Sequence, residues 1–570
     1  MRQNIVVKIL GIIVFFAIGV VLGSWLFNYM APSKERIDLQ EIYNVPAGEA
    51  KIFINDEEWE KNGIYIDGEV YVDYETVKKK LTENIYYSPN EQLVIVTTAN
   101  DNIHAKADSS VYTINGEEKD FGRKIFTVKG GEVYLGLGFV STYGKIDYAV
   151  YDNPGRAVVY SDFDTEFLTA VVSEDTEVRV KGDKKSEIIC DLKSGDKVHV
   201  KAKGMELSKG YVGVLTTDGV IGYVKEETVK DSVYEKMTTE YIETEYKSLT
   251  KEGKVNLTWH AVYTEIGKNG LNELLDKSPG VNVVSPTWFR LTDEEGNFSS
   301  LANKGYVEAA HDRGVEVWAL ISDVEQEINT YNLFAYTQKR RTLIDGLIKT
   351  VKEYNIDGIN IDFETLTAKS APHYIQFLRE LSVECRKEKI VLSVDSYVPM
   401  PFNEFYRRDI QGKVADYVVI MAYDEHYSGS AESGSVSSIS WVTNAVNNTK
   451  EVVPSNKIII GIPFYARLWE EKRNSDGSID IVSVQSLSME TANETVSKNS
   501  ATVVFNEETG QDYAQYEKNG SVYRIWLENA KSIRLKLETI KEGGCGGVAS
   551  WRAGFETEDI WEVINESFMK

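Results

Sequence analysis

The sequence predicts an α/β protein whose C-terminal part, residues 254–570, is a (β/α)8 TIM barrel. Eight apolar, strand-like runs alternate there with helical segments, as they do when parallel strands are joined by helices. Short strand-like runs with turn signals precede this part and predict two small β-rich domains. An apolar run of 19 residues, Ile9–Phe27, predicts a transmembrane helix ahead of both domains. A chain of 570 residues is long enough for three or four domains.

The composition excludes several classes of function. A net charge of −25 argues against a nucleic-acid partner, because phosphate binding needs a basic patch. The three cysteines, Cys190, Cys385 and Cys545, stand far apart, and the six histidines are scattered singly. We therefore expect neither a zinc site of the usual kind nor another cofactor. The 33 tyrosines and 10 tryptophans are suited to sugar rings, although aromatic residues also build cores and sheets.

The apolar run favours a membrane anchor. Nineteen helical residues span about 28 Å, close to the roughly 30 Å of a hydrocarbon core. Trp25 and Tyr29 fall where interfacial aromatic residues lie. A cleaved signal peptide is the alternative, although the best cleavage site, Val21-Leu22-Gly23, is poor. In both interpretations the rest of the chain is exported. We expect residues 1–30 to form a cytoplasmic tip and a transmembrane anchor.

An internal repeat marks residues 47–162. The sequence GEVYV begins at Gly68 and GEVYL begins at Gly131, and Val77 and Val140 keep the same offset of 63 residues. Each copy is predicted as a strand that leads into a short helix. This pattern resembles the stalk domain related to the N-terminal domain of copper amine oxidases. The resemblance implies a spacer rather than copper chemistry.

Residues 170–230 are predicted to form a second small domain of about five strands. An arginine-containing strand begins at Glu177, a Gly-Asp turn follows, and two further strands begin at Gly210 and Asp218. This order resembles a bacterial SH3-like domain. Such domains bind wall peptides or serve only as spacers, because a fold does not fix a function. The charged segment 231–253 is predicted to be a solvated linker.

Eight runs define the predicted barrel. In chain order they are 255–263, 281–289, 315–322, 356–364, 390–397, 417–424, 458–465 and 546–551. Roughly eighty residues separate the last two runs, and the strand-rich stretch 501–528 among them predicts an α+β insertion after strand 7. The active sites of such barrels lie at the carboxyl ends of the strands.

Polar side chains are concentrated at those strand ends. With a period of two residues, Asn360, Asp362 and Glu364 share one face of the fourth run. Three polar residues that face a barrel interior are costly unless they serve a site. Asp357 is out of phase with them, so we expect it to be structural. The other candidate site residues end the sixth, seventh and eighth runs: Met421, Tyr423, Asp424, Tyr465 and Trp551.

Three of these segments carry a family resemblance. Asp357-Gly-Ile-Asn-Ile-Asp-Phe-Glu364 resembles the D-G-x-D-x-D-x-E signature of glycoside hydrolase family 18. Met421-Ala-Tyr-Asp424 is similar to that family's M-x-Y-D motif, and Trp551 stands where its subsite-floor tryptophan would be. The resemblance covers residues 254–570. The extension 424–434 and Asn360 are most similar to the bacterial wall and spore-cortex-lytic N-acetylglucosaminidases.

The resemblance implies a chitinase-type glycosidase that cuts β-1,4 bonds in N-acetylglucosamine-containing polysaccharide. Peptidoglycan, spore cortex and chitin all qualify as substrates, and the SH3-like domain would give a second contact with a cell wall. A non-hydrolytic carbohydrate-binding protein on the same barrel is the alternative, and its usual mark is loss of the acid, whereas Glu364 is intact. A metal-dependent deacetylase is disfavoured because the histidines are not clustered.

The implied mechanism is substrate-assisted and retaining. Glu364 would protonate the glycosidic oxygen, and Asp362 would hold the N–H of the substrate's acetamido group. Tyr423 and Asp424 would position that group, Trp551 would lie under the ring, and Met421 and Tyr465 would bind substrate nearby. Asn360 stands where the family usually has Asp. Its amide could donate a hydrogen bond to Asp362 but could not share a proton with it.

Overall fold

The computed structural model of the protein describes residues 2–201, 205, 209–264, 270–324 and 327–570. Residues 202–204 and 206–208 of the predicted SH3-like domain, and 265–269 and 325–326 of the predicted barrel, lie outside the described residues. The chain forms two compact units. The first comprises Met1–Tyr87, Gln92–Val96 and Ile103–Glu243, and the second comprises Ser88–Glu91, Thr97–Asn102 and Thr244–Lys570.

Eight parallel strands in the second unit close into a barrel, which confirms the predicted fold. Each strand lies within the run that predicted it. The ring is closed because β1 pairs with both β2 and β8, and β2 pairs with β3. The strands are β1 Val255–His260, β2 Val283–Pro286, β3 Glu316–Ser322, β4 Gly358–Asp362, β5 Val391–Tyr397, β6 Tyr417–Met421, β7 Ile458–Pro463 and β8 Gly547–Trp551.

Helices pack around this barrel with their apolar faces inward. In the long helix after β3, Leu343, Leu347 and Val351 recur at a spacing of four residues and are buried. The α-helices of the unit are α1 Leu271–Lys277, α2 Lys304–His311, α3 Thr330–Phe334, α4 Thr337–Tyr354, α5 Ala371–Glu388, α6 Arg408–Val414, α7 Ile439–Lys450, α8 Met489–Lys498, α9 Ala530–Glu542 and α10 Ile560–Ile564. Shorter helical turns are Pro401–Tyr406, Ser455–Lys457 and Asn565–Met569.

Large apolar side chains fill the interior of the barrel. On β1, Val255, Leu257 and Trp259 point inward with a period of two residues. Deeper contacts include Trp318 of β3 stacked on Tyr417 of β6, with ring centroids 5.2 Å apart. The cavity of the barrel lies beyond this packing, at the carboxyl ends of the strands.

An α+β insertion follows β7, as predicted. Its five strands form one antiparallel sheet, and α8 packs on that sheet through Ala492 and Val496. The strands are Tyr465–Arg473, Ile479–Ser488, Thr502–Asn506, Gln511–Lys518 and Ser521–Leu527. A smaller excursion after β2 forms a hairpin of Phe289–Leu291 and Phe298–Ser300.

The first unit begins with a helix, Arg2–Met30. Its segment Ile5–Met30 is long and apolar enough to cross a membrane, with a mean hydropathy of 3.0 and no buried side chains. Beyond the helix, Ser33 and Ile37 donate backbone hydrogen bonds to Lys184 and Ile188. A short helix, Leu39–Tyr43, follows.

The repeated segments pair with each other about a local two-fold centre. Strand Glu69–Asp73 runs antiparallel to Glu132–Gly136, with Val72 opposite Leu135. The pairs on either side, Tyr71 with Gly136 and Asp73 with Tyr134, exchange when the offset of 63 residues is applied. Val77 and Val140 are both fully buried in the helices that follow. The repeat is therefore a structural duplication.

Two sheets make up this duplicated region. The first contains the strands Glu49–Ile54, Glu57–Glu58, Gly63–Ile66, Glu69–Asp73, Phe126–Lys129, Glu132–Gly136, Asp147–Tyr151 and Arg156–Tyr160. The second contains Ile85–Ser88, Leu93–Thr97, Asn102–Lys106, Val111–Ile114 and Glu117–Asp120. Its helical segments are Tyr74–Thr76, Val77–Leu81 and Leu137–Tyr143.

A seven-stranded antiparallel sheet occupies the region predicted to be SH3-like. Its strands are Glu166–Val172, Thr176–Arg179, Ile188–Leu192, Lys197–Val200, Tyr211–Thr216, Ile221–Lys225 and Val229–Lys236, with a helical turn at Glu226–Thr228. The SH3-like assignment itself stays a prediction.

The predicted linker 231–253 needs correction at both ends. Its first residues belong to strand Val229–Lys236, which pairs with Glu166–Val172 at the edge of the sheet. Its last residues belong to the barrel unit, where the backbone N–H of Leu249 donates to Asp416 (2.7 Å). Neither end of the segment is free in solvent.

Candidate active site

A cavity of about 210 Å³ opens at the carboxyl ends of the barrel strands. Seven of the eight predicted site residues line it: Asp362, Glu364, Met421, Tyr423, Asp424, Tyr465 and Trp551. Three further residues complete the lining, namely Trp259, Asp395 and Tyr397. Six of the eight strands, β1 and β4 to β8, therefore contribute to one cavity, either directly or through residues just after their ends.

Glu364 follows the end of β4, and two short hydrogen bonds hold its carboxylate and its backbone N–H. The hydroxyl of Tyr397 donates to Oε2 (2.6 Å), and the backbone N–H of Glu364 donates to Asp323 (2.9 Å). Burial raises the pKa of Glu364; the hydrogen bond from Tyr397 lowers it, and the charges of Asp323 and Asp424 raise it further. A carboxyl group with a raised pKa keeps its proton above the usual range, as a general acid requires.

Asp323, which sequence reasoning missed, fixes the loop after β4. It directly follows β3 and is 1% exposed. It accepts hydrogen bonds from the backbone N–H and the hydroxyl of Thr365 (3.1 and 2.6 Å) as well as from Glu364. Burial raises the pKa of Asp323 despite these bonds. The backbone that carries Glu364 is thereby tied to the neighbouring strand.

Asn360 does not line the cavity but lies fully buried behind it. Its amide oxygen accepts hydrogen bonds from the indole of Trp259 (3.0 Å) and from Ser285 (3.1 Å). Its amide nitrogen donates to Asp395 (2.7 Å) and Ser393 (3.1 Å). Both N–H groups of Asn360 are thus directed at β5. The sequence had suggested that this amide could instead donate to Asp362 of β4. The correction follows from the position of β5, which the sequence alone does not give.

Asp395 and Tyr397 are the site residues that strand patterns could have revealed. Ser393, Asp395 and Tyr397 alternate along β5 as the polar residues do along β4. Asp395 is 3% exposed, and burial raises its pKa well above the ordinary range; the hydrogen bond from Asn360 opposes this, and the charge of Glu364 adds to it.

Asp424 is held at the rim of the cavity by two donors. The hydroxyl of Tyr465 donates to Oδ1 (2.6 Å), and Arg467 forms an ion pair with the same oxygen (2.7 Å). Asp424 has a φ of +54°, in the left-handed region that Asp tolerates better than most residues. Arg467 was not predicted, because it lies within the insertion strand Tyr465–Arg473.

Aromatic rings form one wall of the cavity. Trp259 contacts Trp551 edge to face, with centroids 5.8 Å apart, and contacts Tyr423 at 6.5 Å. Tyr423 also meets the ring of Tyr465 edge to face at 6.4 Å. These contacts hold Trp551 and Tyr423 in place, and such ring faces suit the apolar face of a sugar.

Asp357 lies away from this cavity, just ahead of β4. It accepts a hydrogen bond from the backbone N–H of Val317 (2.8 Å) and contacts the ring nitrogen Nε2 of His311 (2.8 Å). These contacts agree with the expected structural role. Among the residues that the structure describes, no group of three or more His, Cys, Asp or Glu side chains is arranged to hold a metal ion.

Comparison with known proteins places this site in context. The family model "Glycosyl hydrolases family 18" matches residues 225–556, and the model "Copper amine oxidase N-terminal domain" matches residues 53–160. The uncharacterized glycosylase YvbX of Bacillus subtilis is 26% identical over 318 residues, which cover 53% of this chain and 90% of YvbX.

Two further similar proteins come from Bacillus species. The cortical fragment-lytic enzyme of Bacillus subtilis is 25% identical over 240 residues, covering 41% of this chain. The match spans about half (54%) of that enzyme's length. The crystal structure of the Bacillus cereus spore cortex-lytic enzyme SleL superposes with a TM-score of 0.50 at 20% identity, covering 60% of this chain and 78% of SleL. At that identity, the likeness to SleL supports the fold alone.

Proposed function

The chain belongs to glycosyl hydrolase family 18, and from this membership we propose that it hydrolyses β-1,4 bonds of N-acetylglucosamine-containing polysaccharide by a substrate-assisted, retaining mechanism. The observation that carries the proposal is the placement of Glu364. Its raised pKa and its bond to Tyr397 put a proton donor in a cavity that Asp362, Tyr423 and Asp424 also line.

In the first step, Glu364 donates its proton to the glycosidic oxygen as the bond to the leaving sugar breaks. The acetamido carbonyl oxygen of the substrate attacks the anomeric carbon and forms a cyclic oxazolinium-type intermediate. Asp362 accepts a hydrogen bond from the acetamido N–H, and its charge stabilises the positive charge that develops on the ring.

In the second step, the Glu364 carboxylate takes a proton from an incoming water molecule, which attacks the anomeric carbon and opens the intermediate. Tyr423 and Asp424 position the acetamido group during both steps, and Trp551 supports the sugar ring from below. Met421 and Tyr465 complete the pocket. A 2-acetamido sugar is therefore required on the side of the bond that enters this cavity.

The size of the cavity bears on how much of the substrate it holds. A volume of about 210 Å³ is below the roughly 300–1,000 Å³ of pockets that enclose whole drug-sized ligands. We infer that one sugar unit enters and that the rest of the polymer lies along the open face of the barrel. The relative named a cortical fragment-lytic enzyme makes peptidoglycan our first choice of polymer, with chitin as the second.

The location that suits this substrate is outside the cytoplasm. We propose that the helix Arg2–Met30 anchors the chain in the cell membrane and that the barrel lies on the outer side. Removal of this helix as a signal segment, with release of the rest of the protein, is the alternative. Wall binding by the sheet of residues 166–236 would be an additional contact and is not needed for the chemistry.

Mass spectrometry of digests, with proton NMR to identify the anomer first released, tests the proposal. Purified peptidoglycan and chitin oligomers, incubated with the protein, should yield products with a new reducing-end N-acetylglucosamine and an unchanged β-anomer at the moment of release. Products that end in reducing N-acetylmuramic acid, or products of inverted configuration, would contradict it.

The Glu364→Gln variant is the matched control for these digests. The amide keeps the shape of the side chain but has no proton of suitable acidity, so the rate should fall at least about 10²-fold. Binding of a chitin trisaccharide and the thermal unfolding curve should both be retained. A variant that keeps more than about a hundredth of the wild-type rate would show that Glu364 is not the acid.

A further inference from the structure

Asp395 is a third carboxyl group at the floor of the cavity, and none of the motifs discussed above includes it. It stands on β5, which pairs with β4, and it lines the same cavity as Asp362 and Glu364. It is 3% exposed and accepts a hydrogen bond from Asn360. The mechanism proposed above uses Asp362 and Glu364 but gives Asp395 no part. A buried carboxyl group in a cavity of like charges needs a physical explanation.

Electrostatics argue that Asp395 is neutral. The described residues that line the cavity include no lysine or arginine, so its negative groups are not balanced there. Asp362 and Glu364 face Asp395 from β4, and Asp424 faces it from the end of β6, while Arg467 is already paired with Asp424. The remaining titratable neighbours are phenols: Tyr397, Tyr423 and Tyr465. Several carboxyl groups in one small volume cannot all ionise.

The hydrogen bonds also fix which oxygen of Asp395 carries the proton. The indole of Trp259 can only donate, so the atom of Asn360 that it meets must be the amide oxygen. The amide nitrogen of Asn360 therefore faces Asp395 and donates to Oδ1. An oxygen that accepts an N–H bond is the carbonyl-type oxygen of a carboxylic acid, which leaves the proton on Oδ2.

We propose that Asp395 is a positioning residue of this site: its carboxyl group stays protonated and donates its O–H hydrogen bond into the cavity, where it orients the Asp362 carboxylate. The inference rests on the proposed function, because Asp362 needs orientation only if it holds the acetamido group. Burial of Asp395 is consistent with a raised pKa, and the same strand also supplies Tyr397, which contacts the acid. Strand β5 thus positions both groups of the β4 end.

Two substitutions separate a neutral donor from a charge. Asp395→Asn keeps a neutral side chain with an N–H donor in place of the O–H, whereas Asp395→Ala removes the donor. Loss of one positioned donor typically costs about 10²–10³-fold in kcat. We expect Asp395→Ala to lose that much in kcat with a smaller change in KM, and Asp395→Asn to be at least about tenfold more active than Asp395→Ala. The limbs of the pH–rate profile should coincide for wild type and Asp395→Asn.

Two results would overturn the inference. Equal losses in Asp395→Asn and Asp395→Ala, with a displaced pH profile, would show that the charge of Asp395 is what matters. Wild-type activity of Asp395→Ala would show that the residue has no part in the reaction. Thermal unfolding of both variants identifies any loss of activity that comes from misfolding. If Asp395→Ala is misfolded, the pH–rate profile of Asp395→Asn decides: a displaced profile overturns the inference, and a profile that coincides with the wild type supports it.

Infrared difference spectroscopy tests the protonation without any substrate. The spectrum of the full-length protein at pH 7 minus that of Asp395→Asn should contain the C=O stretch of a protonated carboxyl group. Absence of this band would overturn the inference. If the band is present but no N-acetylglucosamine polymer is cut, the proposed function is wrong and the protonated state of Asp395 stands.

Discussion

At the scale of single residues, the neighbours of Glu364 change its pKa in opposite directions. Burial and the charges of Asp323 and Asp424 raise the pKa of Glu364, and the hydroxyl of Tyr397 lowers it by donating to the carboxylate. In the proposed mechanism, the protonated acid is the form that starts the reaction. Activity should therefore fall as pH rises through the pKa of Glu364, and any change in that pKa should move this basic limb.

Replacing Tyr397 by Phe should move the basic limb to higher pH. The substitution removes a donor that stabilises the charged form of Glu364, so the pKa rises; one hydrogen bond to a charged group corresponds to about one pH unit or somewhat more. The pH dependence of kcat/KM measures the shift. Tyr406→Phe is the control, because Tyr406 lies beside Glu364 but donates only to its backbone carbonyl (3.4 Å). A limb that moves downward in Tyr397→Phe would contradict the assignment.

Replacing Asn360 by Asp should change the pH profile and make stability depend on pH. The new carboxyl group would face Asp395 at hydrogen-bonding distance, and the two could ionise together only at high cost. Their pKa values in the folded state would lie above those in the unfolded chain. The added destabilisation should therefore be small in acid and should grow as pH rises through neutrality. Unfolding temperatures at pH 5 and pH 8 measure it, and equal losses at both would contradict the expectation.

Sequence patterns identified polar residues of the site that follow one another on a single strand. They did not identify residues whose role depends on a contact with another strand. Asp362 and Glu364 followed from the period-two pattern of one run. The same pattern in the fifth run was overlooked, although Asp395 and Tyr397 were visible in it. Asp323 and Arg467 could not be found in this way, because each acts through a partner on a different strand or insertion.

At the scale of secondary structure, a buried ion pair joins the two long helices after β3 and β4. Arg340 of α4 forms two hydrogen bonds with Glu380 of α5 (2.9 and 2.8 Å), and their side chains are 0% and 6% exposed. Such a pair adds little compared with apolar residues of the same size, but the loss of one partner leaves an uncompensated buried charge.

Arg340→Met should therefore destabilise the protein by about 3–5 kcal/mol, measured by thermal or denaturant unfolding. Arg341→Met is the matched control one residue along the helix. Arg341 pairs with Asp345 (2.6 Å) and with Glu384 of α5 (3.3 Å), but its side chain is 49% exposed, so its loss should cost less than about 1 kcal/mol. The double variant Arg340→Met/Glu380→Gln should recover part of the loss. Equal effects of the two single substitutions would refute the argument.

Strands were predicted correctly where apolar residues filled a run, and a strand was missed where its side chains are polar and exposed. All eight barrel strands are buried on both faces and read as nearly continuous apolar runs, so their existence and order followed from sequence. Their carboxyl ends were predicted correctly for β3, β5 and β8 and two or three residues too long for the other five, because those runs continue into packed loops. Strand Val229–Lys236 was missed because it is an edge strand with almost every side chain exposed, so it has no apolar alternation.

At the scale of the whole molecule, full-length protein should remain in the membrane fraction after a high-salt wash. A single apolar helix of this length holds a protein in the bilayer far more firmly than a surface contact does. A version that begins at Pro32 keeps the backbone bonds of Ser33 and Ile37 and should be soluble and active. External protease should remove the barrel from wall-stripped cells. Recovery of mature protein from the medium, with its N-terminus near Ser24, would instead establish removal of the helix.

The described lining of the cavity contains four carboxyl groups and no lysine or arginine: Asp362, Glu364, Asp395 and Asp424. This lining should make the protein sensitive to the degree of acetylation of its polymer. A glucosamine unit that has lost its acetyl group would bring an ammonium ion into this acidic pocket and be attracted to it. It would have no carbonyl oxygen to attack the anomeric carbon, so it would occupy the site without being cut. Deacetylated stretches of glycan would then act as competitive inhibitors, and the degree of acetylation of the polymer would govern how far it is degraded.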